Sequence, residues 1–146
     1  SSSKLSKVRL SDWNTETNPD CQNGECNEPF VEVPIEKMIV HEDYKTSDRS
    51  KHNDIALLKL EREVQLTKFI DIIRLPDESE ASDLTGEKLQ VAGFGVTETG
   101  KTSPKLLKIE INEYSFERCK NVYDEEGVTL TKNQVCAGGE EGIDTW

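Results

Sequence analysis

Short runs of alternating apolar and polar residues recur along the chain, and each run is bounded by Pro, Asn, Asp or Gly. Such runs predict short β-strands, because successive side chains of a strand point to opposite faces. The predicted strands cover 7–10, 30–33, 37–40, 55–60, 70–75, 88–92 and 106–111. A helical period is found at 115–123, where Ser115 is expected to cap the first turn. Short strands at regular spacing indicate an all-β sandwich or barrel.

The composition is that of a globular, loop-rich chain, with 34% hydrophobic and 32% charged residues. Eighteen basic residues against 29 acidic residues leave a net charge of −11. This charge repels phosphate backbones and anionic lipid headgroups, so neither a nucleic acid nor a membrane is expected as a partner. No apolar stretch approaches the length of a membrane span.

Four cysteines, Cys21, Cys26, Cys119 and Cys136, allow three disulfide connectivities. Two local bridges are the simplest arrangement, and closing these loops is worth about 2 and about 3 kcal/mol. Zinc is the alternative, but the second cysteine pair does not have the two-to-four-residue spacing of zinc fingers and ribbons. Disulfides predict an oxidising, extracellular location and hence a secreted protein. Residues 1–5 lack a signal-peptide core, so we expect a secretion signal to have been removed or to lie outside this sequence.

A polar turn at 51–54 ends in the carboxylate of Asp54, directly before the apolar run 55–60. This order predicts that Asp54 lies at the mouth of a buried strand. A carboxylate there costs free energy unless donors satisfy it, and a carboxylate that holds a histidine N–H is the orienting part of a nucleophile triad. The alternative is an ordinary turn residue. Neither His41 nor His52 lies in an Ala-Ala-His-Cys setting, and the sequence contains no Gly-Asp-Ser-Gly-Gly segment.

Three segments follow one another in a distinctive order: Asp-Ile-Ala-Leu-Leu at 54–58, Val-Ala-Gly-Phe-Gly at 91–95 and Val-Cys-Ala-Gly-Gly at 135–139. With them, nearly the whole chain resembles the trypsin/chymotrypsin family of serine proteases. The resemblance implies a fold of two antiparallel β-barrels, present here as a middle portion that enters after the catalytic histidine and stops before the nucleophile serine. We then expect 1–76 to form the second part of the first barrel, 77–85 the inter-barrel linker and 86–146 the first part of the second barrel.

Within that family, Val-Arg-Leu-Ser-Asp-Trp at 8–13, followed by Cys21 and Cys26, resembles the clip-domain proteases of arthropod haemolymph. Those proteases act in immune and developmental cascades, so a protein substrate or a cascade protease is the implied partner. Two positions depart from the family pattern. Arg74 stands where clip-type members usually carry a tethering cysteine, and Trp146 stands at a disulfide position.

The resemblance also assigns candidate sites. Asp54 resembles the triad aspartate, and Asp144 resembles the aspartate at the floor of the primary specificity pocket, which pairs with a substrate Arg or Lys; a frayed acidic terminus is the alternative for Asp144. Calcium is the metal suggested for the loop around Cys21 and Cys26, with a solvated acidic loop as the alternative. Its candidate ligands are Asp12, Asn14, Asp20 and Glu28. No organic cofactor is expected, because Gly-Phe-Gly at 93–95 lacks the third glycine and the helix of a nucleotide-binding loop.

The function expected for the full-length form is that of a trypsin-like endopeptidase that cleaves after Arg or Lys in an extracellular proteolytic cascade of innate immunity. The present chain carries only the aspartate of the triad and is expected to be inactive by itself. The alternative is a truncated, non-catalytic protease homologue that acts as a calcium- or protein-binding module.

Overall fold

A computed structural model describes residues 5–77, 84, 86–96 and 100–138 of the chain. Seven strands and a ten-residue helix make up the described regular structure. The elements are β1 Lys7–Leu10, β2 Cys21–Gln22, β3 Glu25–Cys26, β4 Val31–Val40, β5 Ala56–Leu60, β6 Lys88–Gly93, β7 Leu107–Asn112 and α1 Phe116–Glu125. The predicted all-β class is confirmed. Among the described residues, no helix has the length and apolar character needed to span a membrane.

The first of two compact units comprises Ser1–Val40 and Ala56–Arg74. Its main sheet is antiparallel in the order β1-β4-β5, with Val8 opposite Val33 and Ile39 opposite Leu57. The side chain of Val33 is completely buried in this sheet. β4 replaces the two separate strands predicted at 30–33 and 37–40, because a register shift between Ile35 and Lys37 lets one long strand pair with both neighbours.

A small hairpin in this unit was not predicted as strand. Its strands β2 and β3 pair antiparallel, with Cys21 directly opposite Cys26. The turn between them contains Asn23 and Gly24, both at positive φ. Asn-Gly is the sequence that a tight two-residue hairpin favours, since both central residues must adopt left-handed conformations.

The second compact unit comprises His41–Ile55 and Leu75–Trp146. Strands β6 and β7 form an antiparallel pair in which Leu89 lies opposite the buried Ile111. The predicted helix is confirmed, and the Ser115 side chain accepts a hydrogen bond from the backbone N–H of Arg118 at its N-terminus.

Two sequence predictions in these units need correction. Residues 70–75 form no strand, and Ile72 and Ile73 are 77% and 85% exposed. Hydrophobic alternation supplies no backbone partner, and a strand needs one. β5 is a strand, but it is not buried on both faces, because Leu57 is 65% exposed whereas Leu58 is half-buried. The predicted linker 77–85 lies largely outside the described residues, so the division proposed there stays a prediction.

Candidate functional site

The turn that leads into Asp54 is organised by the carboxylate of Asp48. Its Oδ1 accepts from the backbone N–H of Ser50 at 2.9 Å, and its Oδ2 accepts from the backbone N–H of His52 at 3.2 Å. This is the local pattern by which aspartate side chains stabilise turns in place of backbone acceptors. Lys51 and Asn53 adopt left-handed conformations, with φ of 51° and 56°. The chain thereby reverses direction just before Asp54.

Asp54 itself follows this turn as an exposed residue. The next residue fixes the backbone on its C-terminal side: Ile55 donates to the carbonyl of Asn53 at 2.8 Å and accepts from the backbone N–H of His41 at 3.1 Å. Within the described part of the chain, no side chain forms a hydrogen bond or ion pair with the Asp54 carboxylate.

Neither histidine is brought to Asp54 by a described contact. The His52 ring contacts other groups, with Nδ1 at 2.8 Å from Asp48 Oδ2 and Nε2 at 2.6 Å from the backbone oxygen of Thr129. The His41 ring accepts from the backbone N–H of Asp43 through Nδ1 at 3.2 Å. That neither histidine serves as the general base stays a prediction.

The loop 48–54 is joined to the segment 128–134 by further hydrogen bonds. Thr129 donates its backbone N–H to Ser50 Oγ at 2.9 Å, and Gln134 Nε2 donates to the backbone oxygen of Ser50 at 2.9 Å. Ser50 is buried at this junction. Sequence reasoning did not identify Asp48, Ser50 or Gln134. The Asp-x-Ser spacing at 48–50 was the available signal, since it is typical of a side-chain-stabilised turn.

Asp144, the predicted specificity residue, lies outside the described residues, as does the whole of 139–146. The described segment before it is anchored to the second unit. Glu113 and Ala137 form an isolated antiparallel bridge, and Gly138 donates to the carbonyl of Asn112 at 3.0 Å.

The four predicted calcium ligands divide into two kinds, and Asp20 and Asn14 form the first. Asp20 is 2% exposed, and its Oδ2 accepts from the backbone N–H groups of Trp13 at 2.8 Å and Asn14 at 2.9 Å. Its Oδ1 accepts from Thr17 Oγ1. Burial acts to raise the pKa of Asp20, but the hydrogen bonds from Thr17, Trp13 and Asn14 outweigh it, and the pKa is lowered. These two side chains are engaged in holding the loop, since Asn14 Oδ1 accepts from the backbone N–H of Glu16.

Asp12 and Glu28 form the second kind. The Asp12 side chain is 5% exposed; its Oδ2 lies 3.4 Å from Arg9 Nη1, and its Oδ1 is buried without a hydrogen-bond partner. Glu28 is half-buried, and Thr67 Oγ1 donates to its Oε1. An orphaned buried carboxylate oxygen fits a cation, because leaving it unpaired is costly. Among the described residues, however, no three or more His, Cys, Asp or Glu side chains are close enough to hold a metal by themselves.

The cysteines form two disulfides, Cys21–Cys26 and Cys119–Cys136. Both are the local bridges expected from the spacing, and no described cysteine is free. The second bridge ties α1 to the segment that contains Val135 and Ala137. The zinc alternative is thereby excluded for these four residues.

Comparison with known proteins gives concordant results. A family model described as Trypsin matches residues 10–145. CLIP domain-containing serine protease HP8 of Bombyx mori is 40% identical over 147 residues, covering 99% of this chain and 40% of that protein. Melanization protease 1 of Drosophila melanogaster is 42% identical over 149 residues, covering 97% of this chain and 37% of that protein.

A solved structure supports the same assignment. The crystal structure of the Drosophila Grass clip serine protease of the Toll pathway matches with a TM-score of 0.76 and 32% identity, over 94% of this chain and 39% of that one. The chain thus spans about two fifths of the length of the curated relatives it matches. The expected trypsin-like fold and the clip-type resemblance are confirmed. The chain belongs to the trypsin family of serine proteases, and its relatives are of the CLIP-domain type.

Proposed function

We propose that the natural protein containing this chain is a secreted, trypsin-like endopeptidase that cleaves protein substrates after Arg or Lys in an extracellular immune cascade. The observation that supports it best is the match of the Trypsin family model to residues 10–145, which include Asp54. Two relatives are named for their part in melanization and in the Toll pathway.

In this proposal Asp54 is the orienting member of the triad. Its carboxylate accepts the Nδ1–H of the catalytic histidine, fixes the tautomer of that ring, and stabilises the imidazolium that forms when the serine loses its proton. The Asp48 carboxylate holds the turn that precedes Asp54 in the chain. Asp144 provides a carboxylate for the substrate Arg or Lys, and charge-assisted hydrogen bonds to it would favour basic residues at this position of the substrate.

The 146-residue chain lacks a Gly-Asp-Ser-Gly-Gly segment and an Ala-Ala-His-Cys segment. We therefore expect no hydrolysis of an arginine ester above background by this chain alone. In a longer natural form that contains the catalytic histidine and serine, Asp54→Asn should reduce kcat by about 10⁴-fold, the loss caused by the equivalent change in a Ser-His-Asp protease. The matched control is Asp43→Asn, because Asp43 is also an exposed aspartate that precedes β5 in the chain.

Stopped-flow assays with an arginine ester measure both quantities. Two results would contradict the assignment of Asp54 to the triad. One is full activity of the Asp54→Asn variant of the longer natural form, and the other is turnover of the ester by the 146-residue chain. A natural form that is inactive even before mutation would favour the second candidate function.

That second candidate is a non-catalytic module that binds calcium or a cascade protein, and the buried, unpaired Asp12 Oδ1 supports it. Asp12 and Glu28 would supply carboxylate oxygens, and loop carbonyls would complete the coordination that calcium prefers. Asp20 and Asn14 are already engaged as hydrogen-bond acceptors and are not assigned to the metal. Calcium can also serve a structural role in the protease, so its binding does not exclude the first candidate.

Calcium binding is tested by thermal unfolding. We expect millimolar calcium chloride to raise the Tm above that in sodium chloride of the same ionic strength, since a ligand that binds the folded state stabilises it. Asp12→Asn should abolish the difference, and Asp43→Asn should preserve it. Equal Tm values in the two salts would exclude the site.

A further inference from the structure

The backbone of Thr129 is bound on both sides by side chains of the loop that ends at Asp54. Thr129 N–H donates to Ser50 Oγ at 2.9 Å, and Thr129 O lies 2.6 Å from His52 Nε2. The side chains of Ser50 and His52 thus contact the backbone N–H and C=O of Thr129, as a neighbouring strand does in a β-sheet. Gln134 adds a third link by donating to the backbone oxygen of Ser50. All of these residues belong to the second compact unit.

The His52 ring is placed between two hydrogen-bond acceptors. Nδ1 lies 2.8 Å from Asp48 Oδ2, and Nε2 lies 2.6 Å from Thr129 O. A neutral imidazole carries one N–H and can satisfy one of these acceptors, whereas an imidazolium carries two and satisfies both. The complete set of contacts therefore requires the doubly protonated ring.

Asp48 is suited to this arrangement. The backbone N–H of Ser50 is the largest influence that lowers the pKa of Asp48, followed by the backbone N–H and ring of His52, with burial acting in the opposite direction. The carboxylate thus stays ionised through the pH range in which histidine gains and loses its proton. The two side chains are about a quarter exposed, at 26% for His52 and 24% for Asp48, so solvent protons reach the pair.

We propose that Asp48, His52 and Thr129 form a proton-dependent clamp that positions Asp54. With both ring nitrogens protonated, the clamp joins the Asp54 loop to the segment 128–134. When His52 becomes neutral as the pH rises, one of the two ring contacts is lost and the loop gains freedom. Only Asn53 separates His52 from Asp54, so freedom gained by the loop extends to the backbone that carries the Asp54 carboxylate.

His52 is thus a positioning residue, and the effect on catalysis rests on the proposed function. Other charged residues of the two segments also contribute to the field at the ring. They are Arg49, Lys51 and Asp54 on the loop and Lys132 on the opposite segment. Lys51 Nζ is directed to the backbone oxygen of Thr46 at 3.4 Å, and the described ion pair of the ring is formed with Asp48.

The clamp is tested by NMR on the isotopically labelled chain, which has two histidines and hence two ring signals to separate. The amide of Leu130 belongs to the same peptide group as Thr129 O and reports on the hydrogen bond to that oxygen. Between about pH 5 and 8, the amides of Leu130 and Asp54 should shift with the same midpoint as the His52 ring. The proposal would be overturned if these two amide signals showed no transition, or if they shifted with the midpoint of the His41 ring instead.

Variants separate the clamp from a general structural effect. His52→Ala should remove the transition at Leu130 and Asp54, whereas His41→Ala, at an exposed residue, should preserve it. If His52→Ala does not fold, the wild-type titration still decides, because the two rings are followed independently. A transition that persists in a folded His52→Ala chain would also overturn the proposal.

The catalytic activity of a longer natural form that contains the catalytic histidine and serine provides a second test of the clamp. His52→Ala should lower kcat/KM for an arginine ester by about fivefold at the acidic end of the profile, the effect expected for one lost hydrogen bond. The difference in kcat/KM between wild type and His52→Ala should become smaller as the pH rises and the wild-type ring becomes neutral. A loss of equal size at every pH would reduce His52 to a structural residue. An inactive wild-type protein would contradict the proposed function and leave the NMR result to decide the clamp.

Discussion

Asp20 illustrates at the residue scale how one buried carboxylate can organise a loop. Three donors, the backbone N–H groups of Trp13 and Asn14 and the hydroxyl of Thr17, converge on its two oxygens. Its own backbone N–H donates to Asn27 Oδ1, and Asn27 Nδ2 in turn donates to the backbone oxygen of Ser11. The loop between β1 and β4 is therefore held by side chains where regular backbone pairing is sparse.

We predict that Asp20→Asn lowers the free energy of unfolding by about 2–3 kcal/mol, because an amide group would face three donors and hydrogen bonds to a charged acceptor would be lost. Urea unfolding at neutral pH measures the change. Asp43→Asn, at an exposed position, should stay within about 0.5 kcal/mol of wild type. Equal stabilities of Asp20→Asn and wild type would show that the network contributes little.

Asp20 also makes the free energy of unfolding depend on pH. Because the pKa of Asp20 is lowered by folding, its stabilising contribution is present above the unfolded value of about 3.9 and is lost as the pH falls through the folded pKa. Below about pH 4, the stabilities of wild type and Asp20→Asn should therefore converge. Denaturant unfolding at several acidic pH values measures this, and a constant difference would contradict the sign.

At the element scale, β4 carries the packing of the first unit. This ten-residue strand pairs with β1 through its first half and with β5 through its second half. Val33 lies in the first half, directly opposite Val8, and is completely buried. The register of the sheet thus depends on which face of β4 this side chain occupies, since a shift by one residue would expose it.

We predict that Val33→Ala lowers the free energy of unfolding by about 2 kcal/mol, through the loss of buried methyl groups and the cavity that remains. Ile73→Ala removes more carbon atoms but at a side chain that is 85% exposed, so it should change stability by less than about 0.5 kcal/mol. Urea unfolding of both variants is the measurement. A larger effect at Ile73 than at Val33 would place the core elsewhere.

At the scale of the whole molecule, large apolar side chains stay accessible in the described structure. Leu57, Ile72 and Ile73 of the first unit are 65%, 77% and 85% exposed. Single exposed apolar residues are ordinary in proteins, but several in one unit are typical of a surface that another segment or partner covers. β5 adds to this, because it is one of the two edge strands of the sheet as described.

We predict that the native 146-residue chain increases the fluorescence of the dye ANS at neutral pH without denaturant, because the dye binds accessible apolar surface. The double variant Leu57→Thr/Ile73→Thr should weaken this signal, with the folded state checked by amide dispersion in NMR spectra. A native chain that leaves the dye fluorescence unchanged would show that these side chains are covered in solution.

Local patterns sufficed for elements in which the signal lies within a few residues. Alternation predicted β1, β6 and β7, the position of Ser115 predicted the N-terminus of α1, and the cysteine spacing predicted both bridges. Alternation failed at 70–75, where the residues have strand composition but no described strand lies beside them to pair. The two strands predicted at 30–33 and 37–40 are one strand, β4. The register shift between Ile35 and Lys37 that joins them depends on pairing with both β1 and β5, which a local pattern does not encode.

The sequence by itself determined the family, through ordered segments such as 54–58 and 135–139, and the elements with local periodicity. Only the tertiary structure decided what the polar side chains bind. It directed Asp20 to backbone donors, left Asp12 Oδ1 unpaired, and brought His52 to Thr129, which lies 77 residues away in the chain. The physical reason is that periodicity encodes which face of an element is buried, whereas a hydrogen bond depends on the angstrom-scale meeting of groups that are distant in sequence.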